Sequence, residues 1–144
     1  MANVRQISVF VDNKPSQLCG VMEVIKANGI NVRATSLADT KDFGILRIIV
    51  NDTDKTVEAL KGAGYAVSVN EIVAISIPDA PGQLSRVLEV LGADDVNLEY
   101  LYAFTGASDN AVSFVIRVND NAAASACLTK NGIIQLTEND IAAM

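Results

Sequence analysis

Few residues of this 144-residue chain are spaced for chemistry. Histidine is missing altogether, which removes the commonest general base and the commonest metal ligand together. Asp52-Thr53-Asp54 resembles a carboxylate pair for a cation, but it stands where a helix is expected to begin, and acidic residues there serve the helix dipole. Cys19 and Cys127 lack metal-type spacing and a histidine to activate them, so both read as reduced packing thiols. Gly62-Ala63-Gly64 closes a helical pattern instead of opening one after a strand, so it is no nucleotide loop.

What remains are two short polar turns, Asn13-Lys14-Pro15-Ser16-Gln17 and Asp79-Ala80-Pro81-Gly82-Gln83, each leading from a strand pattern into a helical one. Free backbone N–H groups and the helix dipole favour an anion at such a place, and an α-carboxylate fits. Asp79 is able to pair with an ammonium. Gly82 leaves the backbone open to close approach, and Ser16 puts a hydroxyl in its place. This is equipment for binding, so no catalytic residue, cofactor or metal is expected. The same turns also suit a ligand-free role, with Pro15 and Pro81 starting helices, Asn13 and Asp79 capping them, and Gln17 and Gln83 as capping partners.

The elements that position these turns are read from a repeat. Sliding the chain by 66 positions pairs Pro15 with Pro81, Gln17 with Gln83, Leu18 with Leu84, Val21 with Val87 and Asn31 with Asn97. After a longer loop the offset becomes 68, pairing Val50 with Val118, Asn51 with Asn119, Asp52 with Asp120 and Gly64 with Gly132. In each copy an alternating strand (Ile7, Val9, Val11; Val73, Ile75, Ile77) precedes a helix with a buried stripe (Leu18, Val21, Met22, Ile25; Leu84, Val87, Leu88, Leu91). Two strands, a second helix capped by Asp52 or Asp120 and ended at Gly64 or Gly132, and a last strand follow. The order βαββαβ is the ferredoxin-like plan, an α+β fold with an antiparallel sheet and both helices on one face. Domains are expected at residues 1–70 and 71–144, with Asn70 and Glu71 as the connection and the two sheets joined edge to edge.

Composition narrows the function classes. Half of the residues are hydrophobic and 19% are charged, as in a chain that buries a core. A formal charge of −6 leaves no basic surface for phosphates, so nucleic acid is not an expected partner. No apolar run approaches the roughly 20 residues of a membrane span. The N-terminus enters the Ile7–Val11 strand without a secretory pattern, which predicts a cytoplasmic protein.

The segments Val11-Asp12-Asn13-Lys14-Pro15-Ser16-Gln17-Leu18 and Ile77-Pro78-Asp79-Ala80-Pro81-Gly82-Gln83-Leu84, followed by Gly29-Ile30-Asn31-Val32 and Asp95-Val96-Asn97-Leu98, resemble the motifs of ACT domains. The second copy keeps the family's Pro-Gly, whereas the first has Pro15-Ser16. The resemblance implies a tandem ACT protein that binds an amino acid at the interface between paired domains. It places ligand contacts at Asn13, Ser16, Gln17, Asn31, Asp79, Gly82, Gln83 and Asn97. The second turn, with Asp79 and Gly82, is expected to bind more strongly. The function it implies is regulation without catalysis; the alternative is a regulatory subunit that docks on an amino-acid biosynthetic enzyme, against which the lack of a further domain after Met144 counts. A homodimer is expected through the open sheet face, where alternation places Phe10, Ile45, Ile49, Leu101 and Val115.

Overall fold

The computed structural model of the chain describes residues 3–12, 14–39, 43–104 and 110–144. These fall into two compact units, one of residues 5–70 and one of residues 71–144 together with the start of the chain.

The first unit is built from β1 (Asn3–Asp12), α1 (Gln17–Ala27), β2 (Val32–Asp39), β3 (Phe43–Val50), α2 (Thr53–Gly62) and the opening residues of β4 (Ala66–Pro78). Its strands lie in the order β2-β3-β1-β4, and β3 runs antiparallel to both β1 and β2. The second unit takes the rest of β4, then α3 (Gln83–Ala93), β5 (Leu98–Phe104), β6 (Ala111–Val118), α4 (Asn121–Lys130), β7 (Ile134–Leu136) and α5 (Glu138–Ala142). Here the order is β7-β4-β6-β5, with all three pairings antiparallel. Both units therefore have their first strand between the third and the fourth, as the ferredoxin-like plan requires. Asn70 and Glu71 are strand residues within β4 and not a connection outside it.

Each core forms on the helix-bearing face. In the first unit Ile7, Val9 and Val11 of β1 meet Val21 and Ile25 of α1, Leu46, Ile48 and Val50 of β3, and Leu60 of α2. In the second, Val73, Ile75 and Ile77 meet Val87, Leu91, Ile116, Val118 and Leu128. The expected stripe of α3 needs one correction: Leu88 is exposed, and Val90 packs against the core in its stead. Cys19 is exposed and so is no packing thiol. Cys127 is buried, and its Sγ donates to the carbonyl of Val90 at 3.1 Å. Burial, then the neighbouring Asp94, pushes that thiol above its ordinary range, which keeps it protonated and inert.

The helix ends follow the sequence closely. Asp52 and Asp120 each accept from the backbone three residues on, at 3.2 and 3.0 Å. Gly64 and Gly132 take the left-handed conformation just past α2 and α4. After the first helix of each unit, Gly29 is left-handed in the first, and Asp95 takes the same conformation in the second, at φ 58°.

Two expectations about the open sheet face fail. Leu101 packs on the helix-side core, because a register shift between Leu98 and Tyr100 reverses the alternation and pairs Leu101 with Ile116. Ile49 and Val115 do point away from the helices but are only 3% and 0% exposed within the single chain. In the second unit the short α5 lies on this face: Ile141 is 1% exposed, and Asn139 and Asp140 share a hollow with Ser76 and Ser113. A helix after β7 was not expected from the repeat.

Candidate functional site

The two polar turns have the same backbone. The N–H of Gln17 donates to the carbonyl of Lys14 at 3.4 Å, and that of Gln83 to the carbonyl of Ala80 at 3.3 Å, each closing a four-residue turn. Pro15 or Pro81 is its second residue. The third is left-handed: Ser16 at φ 72° and Gly82 at φ 83°. Proline followed by a positive φ is the signature of a type II turn, so the Pro-Gly pair serves the turn and the helix begins only at the glutamine. Pro15 and Pro81 thus precede α1 and α3 and do not open them. Among the described residues no side-chain cap is formed at either N-cap, Ser16 or Gly82. Ser16 and Gly82 take the first intrahelical bonds through their carbonyls, from Gly20 and Arg86 at 3.0 Å. Among the described residues the N–H groups of Leu18 and Cys19, and of Leu84 and Ser85, are left for solvent or a ligand.

At the first turn the start of α1, through Gln17 and Leu18, borders a cleft of about 130 Å³. It lies between the start of α1 and the end of the sheet. Val11, Gly44 and Asp39 stand side by side across β1, β3 and β2 and form its floor, since Val11 pairs with Gly44 and Gly44 with Asp39. Leu18 and Gln17 from α1, and Leu37 from β2, wall it, and Asp12 and Lys14 stand at its mouth. Apolar surface, the carboxylate-bearing Asp39, Lys14 and the start of α1 therefore meet around one small space. Such a set suits a small zwitterion. It contains no cysteine, serine or histidine for covalent or proton-transfer chemistry.

Of the residues singled out in the sequence, only Gln17 lines this cleft. Ser16 shapes the turn beside it, and Asn13 lies outside the described residues. Asp79, Gly82 and Gln83 form the matching turn of the second unit but line neither this cleft nor the larger hollow beneath α5. That hollow, of about 530 Å³, is floored by Ser76, Ala111 and Ser113 and takes no lining residue from α3 or the turn before it. We therefore take the smaller cleft as the candidate site.

Asn31 and Asn97 stand elsewhere. Asn31 precedes β2, whereas the cleft takes Asp39 at the other end of that eight-residue strand, roughly 25 Å away at about 3.3 Å per residue. One amino acid cannot touch both ends of one unit. The backbone of Asn31 is held by Asn51, whose Oδ1 accepts from its N–H at 3.0 Å while its own N–H donates to the Asn31 carbonyl at 3.2 Å. Asn97 and Asn119 repeat the arrangement at 3.0 and 3.1 Å. The recurrence of these four asparagines is explained by the strand ends that they clamp.

Asp12, Leu37, Asp39 and Gly44 escaped notice in the sequence. Gly44 carried a signal, as a glycine in an otherwise strongly apolar strand, Phe43–Val50. Asp39 carried none, because its approach to the turn is a matter of strand register.

Comparison with known proteins follows this geometry. A family model described as an ACT domain pair matches residues 2–144. A crystal structure of a protein from Bacteroides thetaiotaomicron is 37% identical, with 99% of this chain and 97% of that one covered and a TM-score of 0.93. The regulatory subunit of aspartate kinase from Thermus thermophilus is 15% identical over 90% of this chain and 93% of its own, with a TM-score of 0.64. That from Thermus flavus is 16% identical over the same shares, with a TM-score of 0.63. At such identities the kinase subunits share the fold. No curated protein matches.

Proposed function

The chain belongs to the ACT domain pair family, and on that footing we propose that it is a regulatory protein that binds a free amino acid in the cleft of the first unit. The observation that carries this reading is the meeting of Asp39 and Lys14 with the start of α1 around one small space. In this reading the N–H group of Leu18, with Lys14, holds the α-carboxylate. Asp39, which shares the face of Val11 and Gly44, holds the ammonium, and Gln17 offers an amide to either group. Ser16 acts by keeping the turn in shape. The second turn, with Asp79, Gly82 and Gln83, becomes the weaker of the two, the reverse of the order expected from the sequence.

Regulation requires that the ligand bind two states of the protein unequally. The partners proposed are a second copy of the chain and a cytoplasmic metabolic enzyme. Thermus aspartate kinases have regulatory subunits of this fold, which supports an enzyme as the partner. Copurification of a large protein with the tagged chain tests that part. For the site itself, calorimetric titration with each common amino acid is decisive. We expect at least one to bind and to raise the melting temperature, since a ligand of the native state alone must do so. Asp39→Asn should lower its affinity about tenfold or more, as loss of a charge-assisted contact does. Unchanged affinity in that variant overturns the assignment.

A further inference from the structure

Gly44 is a glycine with no conformational reason to be one. It lies inside β3, paired in unbroken register with Val11 on one side and Asp39 on the other, so it marks no bulge. Its φ is outside the left-handed region, unlike that of Gly29, Gly64, Gly82 and Gly132. A glycine within a strand is unfavourable by roughly 0.5–1 kcal/mol against alanine and ordinarily marks a bulge, a bend or a place where something approaches the backbone closely. No backbone approaches here. A Cβ at position 44 would meet Leu37 Cδ1 and Val11 Cγ2 at 3.5 Å and the Ala38 carbonyl oxygen at 3.7 Å, all ordinary contacts. An alanine therefore fits, and a larger side chain would extend into the cleft that Gly44 floors.

The second unit makes the comparison direct. Val112 pairs with Ile77 as Gly44 pairs with Val11, and thus occupies the same position in the other copy. Asp12 has Pro78 as its counterpart, which takes a carboxylate from the mouth of the matching turn. One copy carries a branched apolar side chain where the other carries none.

We propose that Gly44 determines which ligand the first unit accepts, by keeping open a compartment for a small aliphatic side chain that Val112 closes in the second unit. The inference rests on the reading of the cleft as an amino-acid site. Val11, Leu18 and Leu37 give the compartment apolar walls. A volume of about 130 Å³ is about four times the liquid share of one water, about 30 Å³. That is room for a small aliphatic side chain such as that of alanine, threonine or valine.

The test is titration of the full chain with glycine, L-alanine, L-threonine, L-valine, L-leucine and L-phenylalanine, followed by calorimetry and by amide NMR shifts. The expected result is binding of alanine, threonine or valine, with the largest shifts at residues 11, 37 and 44, and none with phenylalanine. Gly44→Val should lose at least tenfold in affinity while melting no lower than the parent, since valine suits a strand better than glycine. Gly44→Ala keeps the fold at ordinary contact distances and should weaken valine more than alanine. Leu37→Ala should widen the compartment and admit leucine. Binding that Gly44→Val and Gly44→Ala leave unchanged, or shifts centred on Val112, overturn the inference and spare the amino-acid reading. If no amino acid of this panel or of the common set shifts any amide, the reading itself fails and the inference with it.

Discussion

Single residues decide most here where the two copies differ. Ser16 and Asp95 are the two non-glycine residues with positive φ among those described, and the other copy has glycine at each position, Gly82 and Gly29. The left-handed conformation costs an L-residue roughly 1–2 kcal/mol, and glycine gives part of that back as extra freedom in the unfolded chain. Ser16→Gly and Asp95→Gly should therefore each stabilise the protein by about 0.5–1 kcal/mol, raising the melting temperature by about 2–4 °C. Gly82→Ala should destabilise by about 1 kcal/mol through the backbone alone, because nothing lies within 4 Å of the added Cβ. Thermal melts of the three variants check this, and a Ser16→Gly protein that melts lower would show that the serine hydroxyl contributes more than its conformation costs. The Pro-Gly motif was plain in the sequence, but its physical role was not. Pro15 and Pro81 read as first residues of helices because that is a common place for proline, whereas the left-handed residue that follows each can be known only from the backbone.

Whole elements were legible where a period or a cap marked them. The helices α1 to α4 and the strands β1 to β6 stand where the repeat placed them, and Asp52 and Asp120 cap as their position before an amphipathic run implied. Register was not legible. The shifts between Val32 and Ala34 and between Leu98 and Tyr100 rest on no local residue signal, yet they decide which way Leu101 points. The first of them also lies on the strand that leads to Asp39, so the member of the site that faces the turn was hidden with it. Helix α5 lies outside the repeat but carries a readable signal of its own. Thr137 and Asp140 form a capping box: the Thr137 hydroxyl accepts from the Asp140 N–H at 3.1 Å, and the Asp140 carboxylate accepts from the Thr137 N–H at 2.8 Å. Those bonds, the backbone one foremost, hold the Asp140 carboxyl below its ordinary value of 3.8. A carboxyl depressed in the folded state stabilises it above the unfolded value and loses that contribution as pH falls through the folded value. The Asp140 carboxyl carbon should therefore titrate in NMR with a midpoint below 3.8, and Asp140→Asn should flatten the acid side of the stability curve. Thr137→Ala should destabilise by about 1 kcal/mol and expose Ile141, read as faster amide exchange across residues 138–142.

At the scale of the whole molecule, one duplicated sequence has given two units with different open faces. In the second, Ile72, Ala74 and Val115 are fully buried, and α5 lies beside Ser76, Ala111 and Ser113. The first unit carries Phe10, Phe43 and Ile45 at the matching positions. Phe10 and Phe43 are 40% and 42% exposed, with ring centroids 6.5 Å apart. The dimer expected from the sequence was to rest on a broad apolar face, but Ile49, Val115 and Leu101 are already spent on the chain's own packing. What the first unit leaves for a second copy is the aromatic pair with half-buried Ile45. A stable interface takes about 800 Å² from each partner, far more than three side chains supply. If two copies meet through this patch about a twofold axis, as closed pairs commonly do, the association is weak and concentration-dependent. Sedimentation should then find mass near 15.2 kDa at low micromolar concentration, rising as the concentration passes into the hundreds of micromolar. Phe10→Asp should hold the mass at 15.2 kDa throughout without changing amino-acid affinity, since Phe10 lies on the opposite face from the cleft. A parent protein that stays at 15.2 kDa at every concentration removes the dimer from the proposal and leaves the site in the first unit untouched.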